Sequence, residues 1–264
     1  MKKYFAILTM MVLAVAACKK QDPVEKPIKG GEVITAHIGG PDSKVEFDPS
    51  NGQFSWNTPD GISIHTSEGG YKSVEVNSTG VFTFYPNEGE VRDGFAFYPA
   101  SAAGGTVDTP VVILPSSYDI DAEGMGNWYP TPMLAVNDPD DPDLWFYHVG
   151  GSLRLTLNNV PAGTAKIVIG MGKGITGSFS VYADPAMKPM IKAGDSADEL
   201  TFNLSEALSA EADGLILNIP LPTGTYPGVD VTAKSAADAT LASGSISEEL
   251  TFPRTRGRQR TLDL

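Results

Sequence analysis

Apolar and polar residues alternate with period two along most of the chain and almost nowhere with the 3.6-residue period of a helix. Residues 152–158 are the cleanest case, with Leu153, Leu155 and Leu157 on one side and Arg154 and Thr156 on the other. In residues 81–85, Phe82 and Phe84 oppose Val81, Thr83 and Tyr85. Short runs rich in Val, Ile, Phe, Tyr and Thr, bounded by Gly, Pro, Asn and Asp, predict strands over residues 32–38, 53–56, 61–65, 73–76, 81–85, 94–98 and 111–114. A second set follows over 152–158, 165–170, 177–183, 200–204, 214–220, 229–234 and 250–252. Helix is expected only as a turn or two over residues 205–212, with Ser205 as N-cap and Glu206 in the first turn. Pro115, Pro130, Pro132, Pro139 and Pro142 predict a long loop excursion over residues 115–143, and Gly150-Gly151 marks a boundary after it. The pattern is therefore that of an all-β protein with two consecutive β-sandwich domains, residues 32–149 and 150–264.

The first thirty residues follow a different pattern. Lys2 and Lys3 precede an apolar run of twelve, residues 6–17, and Val15-Ala16-Ala17-Cys18 ends it with small side chains before a cysteine. This is the layout of a bacterial lipoprotein signal: small residues admit the signal peptidase, and the thiol of Cys18 receives the lipid. Residues 1–17 form the signal, because such a run is too short to span a ~30 Å hydrocarbon core. Acyl chains of the palmitate class on Cys18 would then hold the protein to an outer membrane, each buried CH₂ contributing roughly 0.8 kcal/mol. Residues 18–31, rich in Lys and Pro with a glycine pair, read as a flexible tether.

Charge and cysteine content narrow the function. The formal net charge is −13 and becomes −15 once Lys2 and Lys3 leave with the signal. Phosphate backbones repel such a chain, so nucleic acid is not an expected partner. Cys18 is the single cysteine, so an acylated protein has no disulfide and is held by packing alone.

Motifs for catalysis are sparse. Gly172-Lys173-Gly174-Ile175-Thr176-Gly177 matches G-x-G-x-x-G, but an alternating strand follows it rather than a helix, so it reads as a hairpin loop. The run Asn137-Asp138-Pro139-Asp140-Asp141-Pro142-Asp143 has two readings, a calcium loop or a solvated acidic loop, and it lacks the D-x-D-x-D-G spacing. His37, His65 and His148 are far apart in sequence, and no metal, cofactor or nucleophile motif accompanies them. A non-enzymatic protein without a cofactor is expected. Trp128-Tyr129 and Trp145-Phe146-Tyr147 flank the excursion; Trp128 and Trp145 either contact a surface glycan or protein or seal the loop onto the fold. The basic strip Arg254, Arg256, Arg258 and Arg260 either meets acidic groups of a neighbouring subunit or belongs to a frayed, solvated end.

Several stretches bring a family into view. They are Phe54-Ser55-Trp56, Pro59-Asp60-Gly61-Ile62-Ser63-Ile64, Gly94-Phe95-Ala96-Phe97-Tyr98-Pro99 and Val112-Ile113-Leu114-Pro115. Phe146-Tyr147-His148-Val149-Gly150-Gly151-Ser152-Leu153-Arg154-Leu155 and Ile219-Pro220-Leu221-Pro222-Thr223-Gly224-Thr225-Tyr226 continue the series. Together with the lipoprotein signal, the chain resembles the fimbrillins of Bacteroidetes, subunits of type V pili. The resemblance implies two transthyretin-like domains, export as a lipoprotein, and assembly with other fimbrial subunits by donor-strand exchange. In that family an arginine-specific protease cuts near the first strand of stalk subunits. Here no arginine precedes Arg92, so either another protease acts, at Lys29 or Lys44, or the subunit keeps its lipid as an anchor or accessory subunit, toward which the resemblance leans. Asp195-Ser196-Ala197 also resembles the short O-glycosylation signal of the phylum and makes Ser196 a candidate acceptor.

Overall fold

The computed structural model describes residues 31–38, 56, 60–77, 80–120, 131–183, 188–194 and 199–264. The signal and most of the tether, the predicted strand over 53–55, Cys18, Trp128 and Ser196 lie outside the described residues.

The chain is an all-β, sandwich-type fold. Its strands are β1 (Glu32–Ile38), β2 (Asp60–Thr66), β3 (Tyr71–Val76), β4 (Val81–Phe84), β5 (Arg92–Tyr98), β6 (Ala103–Gly105), β7 (Pro110–Leu114), β8 (Ser117–Ile120), β9 (Met133–Val136), β10 (Asp143–His148) and β11 (Gly151–Asn158). They continue as β12 (Lys166–Gly170), β13 (Gly177–Ser180), β14 (Tyr182–Ala183), β15 (Pro189–Met190), β16 (Glu199–Leu204), β17 (Leu215–Leu221), β18 (Gly224–Tyr226), β19 (Val229–Lys234), β20 (Thr240–Ile246), β21 (Leu250–Phe252) and β22 (Gly257–Asp263).

A seven-stranded sheet of order β3-β2-β5-β9-β10-β1-β4 organises the first half. Its pairings are antiparallel except that β1 runs parallel to β10. Alternation places Ile34, Ala36, Ile62, Ile64, Phe82, Phe84, Ala96, Leu144 and Phe146 on one face, where they close a core with Trp56. The opposite face is covered in part by a second cluster, in which Phe97 and Leu134 meet Val112, Leu114 and Phe179 of the sheet β13-β7-β6.

In the second half, the sheet β17-β11-β22 and the five-stranded sheet β20-β19-β12-β16-β8 share a single core. Leu153, Leu155 and Leu157 of β11 join Ile167, Ile169, Phe202 and Val231 in it, all but wholly buried. Each such side chain stabilises the fold by roughly 1.5–3 kcal/mol through burial. Strands from either side of residue 150 interleave: β8 pairs with β16, and β13 pairs with β7.

Four sequence expectations need correction. Residues 205–212 are not helical, because their backbone groups pair outward: Leu208 N–H donates to Thr164 O (2.9 Å), and Ala212 bridges Val160. The excursion over residues 115–143 carries β8, β9 and the start of β10, whose short apolar alternations are masked by the surrounding prolines and aspartates. The glycine motif at 172–177 is no hairpin, since β12 and β13 belong to different sheets. The basic strip is not frayed, because β22 pairs in parallel with β11 from Ser152 to Asn158.

Candidate functional site

Of the residues that the sequence singles out, β1 and its surroundings gather His37, Trp145 and the acidic loop of residues 137–143. The strand lies inside its sheet, between β10 and β4. Ile34 (0% exposed) and Ala36 (3%) point into the core, while Val33 (62%), Thr35 and His37 face outward. Its central backbone is held at one edge, where Ala36 N–H donates to Gly80 O (2.7 Å) and Trp56 Nε1 donates to Ala36 O (2.8 Å), and at the other, where Thr35 N–H donates to Pro142 O (2.9 Å). Gly80 has φ +81°, and a Cβ there would come within 2.4 Å of Ala36 O, so this contact requires glycine.

The outward face carries Trp145. Parallel register sets His37 of β1 opposite Trp145 of β10. Their rings stack at 4.2 Å with 15° between the planes, and His37 Nε2–H donates to Asp143 Oδ1 (2.7 Å). Trp145 remains 43% exposed, and Val136 (63%) lies on the same sheet face. The sealing of the excursion, the bland alternative for Trp145, therefore leaves much of its indole in solvent.

At the start of β1 a half-buried glutamate meets a buried arginine. Arg92 donates from Nε and Nη2 to Glu32 Oε2 (3.0 Å) and Oε1 (2.7 Å). Its Nη1 donates to Asn137 Oδ1 (2.9 Å), and Nη2 also reaches the carbonyls of Asp141 (2.7 Å) and Pro139 (3.4 Å). Asn137, itself buried, donates to the carbonyls of His65 (2.9 Å) and Asp93 (2.8 Å). Reasoning from sequence missed this group. No local motif joins residues 32, 92, 137 and 141; the only signal is an isolated arginine in an alternating strand.

The acidic loop is folded around that guanidinium. Asp138 Oδ1 accepts from Asp140 N–H and Asp141 Oδ1 from Asp143 N–H, both at 2.9 Å, while two loop carbonyls turn to Arg92. Among the described residues, no three His, Cys, Asp or Glu side chains form a group able to hold a metal ion. The histidines are separated. His65 is buried edge-on to Tyr71, and desolvation holds its pKa below the usual value despite the nearby Asp93. Burial, with Arg254 adding to it, holds His148 well below its usual value. In the second half, Arg258 Nε donates to Thr251 O (2.9 Å) and Arg260 pairs with Glu248. No helix among the described residues is long and apolar enough to cross a membrane.

The chain matches no protein-family model, and no curated protein matches it. Solved structures do resemble it. One is a candidate cell adhesion protein from Bacteroides ovatus, 14% identical, with a TM-score of 0.50 over 89% of this chain and 93% of that one. A second, from Bacteroides uniformis, carries the same description, with 15% identity, a TM-score of 0.48 and coverage of 90% and 94%. A fimbrial protein from Bacteroides ovatus aligns at 9% identity with a TM-score of 0.36, over 89% of this chain and 49% of its own length. The first of these shares with the present chain the all-β, sandwich-type fold described above, across nearly the full length of both.

Proposed function

We propose that the protein is a non-enzymatic surface lipoprotein of the fimbrillin kind, an anchor or accessory subunit that acts in adhesion and joins fimbrial partners by strand exchange. Cys18 carries the lipid, residues 18–31 form the tether, and the strands from residue 32 onward form the sandwich-type body, with β7 and β8 paired across residue 150. The observation that carries the reading is β1. It is an internal strand whose alternate side chains plug a core, so its place is a site that an extended segment of matching pattern fills through main-chain hydrogen bonds. The fold shared with a candidate cell adhesion protein supports the same reading.

The test is the mature N-terminus and intact mass of the protein isolated from its native membrane. An acylated Cys18 with β1 in place is the expected result for an anchor. A non-acylated start beyond Glu32 would replace the anchor with a polymerising stalk subunit. The same mass spectrum reports any glycan on Ser196.

A second reading has its own observation, the exposed Trp145 stacked on His37. In it the protein stays monomeric and binds a surface glycan through ring stacking on Trp145, with Trp128 as a second contact. Binding to a glycan array that disappears in Trp145→Ala, without high-mass assemblies, would favour it.

A further inference from the structure

The anchorage of Arg92 is incomplete without β1. Its side chain is 0% exposed, and the body of the fold offers it only neutral acceptors: the Asn137 amide oxygen and the carbonyls of Pro139 and Asp141. Among the described residues, the counter-charge comes from the two oxygens of Glu32 alone. A buried guanidinium left without its carboxylate is strongly disfavoured, since desolvation is no longer offset by a partner. Arg92 is thus an anion site built into the fold and occupied from within the same chain.

The next positions of β1 add to the demand. Two and four residues beyond Glu32, Ile34 and Ala36 enter the apolar core, while Val33, Thr35 and His37 face outward and are not read by it. We infer that the β1 position is a carboxylate-selective strand site. A segment of another chain that takes this place must set an acidic residue on Arg92 and apolar residues at the Ile34 and Ala36 positions. This rests on the strand-exchange reading above and specifies the chemistry of its partner.

The edge strand β22 does not meet the requirement. β22 is paired along one side only and reads Gly-Arg-Gln-Arg-Thr-Leu-Asp. Laid in the direction of β1, it offers no acidic residue followed at the second and fourth places by apolar ones. Laid in reverse, Asp263 reaches Arg92 but Thr261 and Gln259 fall on the apolar pockets. The partner is an extended segment with an acidic leading residue and apolar residues at the second and fourth places after it, not a second copy donating β22.

The test uses the full chain with a protease recognition sequence inserted between Pro41 and Asn51. After the cut, β1 is held without a covalent link, and labelled peptides compete for its place. The peptide Glu-Val-Ile-Thr-Ala-His-Ile is expected to exchange, and its Glu→Gln form to bind roughly a hundredfold more weakly. The peptide of residues 257–264 is expected not to compete. Equal binding of the Glu and Gln peptides would overturn the carboxylate selectivity while leaving strand exchange intact. Efficient competition by the 257–264 peptide would overturn the exclusion of β22 as the donor. If no peptide enters, the Glu peptide included, the β1 position is closed and the strand-exchange reading falls with the proposal. An Arg92→Met chain that folds should accept Glu and Gln peptides alike; the peptide variants alone decide the matter if it does not.

Discussion

Among the described residues, every arginine, glutamate or histidine that the fold buries lies before residue 150: His65, Glu90, Arg92 and His148. The buried polar groups of the second half are the uncharged Thr164, Thr176 and Asn218, and the phenol of Tyr226 donates to Pro222 O (2.8 Å). Its core is otherwise aliphatic and aromatic. The contrast assigns different tasks to the two regions. Hydrophobic burial is non-directional and supplies stability. A buried ion pair supplies little net stability but discriminates strongly against the wrong partner, because a mismatch leaves a charge uncompensated. Of these groups Arg92 holds the start of β1, the strand whose exchange is proposed, through Glu32, and the aliphatic core lies in the second half.

Mutations can break this contrast. Phe202→Ala, in the centre of the second core, should cost about 3–5 kcal/mol in denaturant unfolding, with no dependence on pH. Glu32→Gln should cost about 2–3 kcal/mol, less than for a fully buried pair because Glu32 is 36% exposed. Adding Arg92→Met should return part of that loss, and a double-mutant cycle without coupling would remove the charge-based account of the β1 site. Gly80→Ala should cost about 1–2 kcal/mol, since its φ is positive and the new Cβ meets Ala36 O. Faster hydrogen exchange confined to β1 and β4 would identify that loss as local.

Acidification sharpens the contrast with a smaller effect. Burial lowers the pKa of His65 and, more strongly, of His148, from the usual 6.5. The unfolded chain therefore takes up these protons first. The stability from the neutral rings is fully present well above pH 6.5 and is lost as pH falls through 6.5 toward the folded values, more for His148 than for His65. His148→Phe should flatten the profile, and the protection lost on acidification should lie in the seven-stranded sheet. Smallest of all, Trp145→Ala should change stability by less than about 0.5 kcal/mol, since nearly half of the ring is exposed. A larger loss would make the indole a packing element.

Strands with strict alternation are legible from the residue pattern alone. β1 and β19 begin and end where that pattern places them, and β11 differs from its prediction only by adding Gly151. β10 is hidden because Leu144, Phe146 and His148 alternate within a proline- and aspartate-rich stretch that argues locally for a loop. β20, built largely of Thr, Ala, Ser and Gly, and β22, with its arginines, carry weak apolar signals because an edge strand need bury only part of one face. Trp145 is legible as a candidate contact. Its stacking on His37 depends on a register between strands more than a hundred residues apart.

The class of fold, the alternating core faces and the apolar run that ends at Cys18 follow from the residues in order, because each is encoded in near neighbours along the chain. Tertiary packing alone sets β1 inside a sheet, parallel to β10, and brings Glu32, Arg92, Asn137 and the acidic loop together. Strand order and long-range register arise from the joint burial of many side chains and the pairing of every backbone group. No single stretch of sequence carries that information.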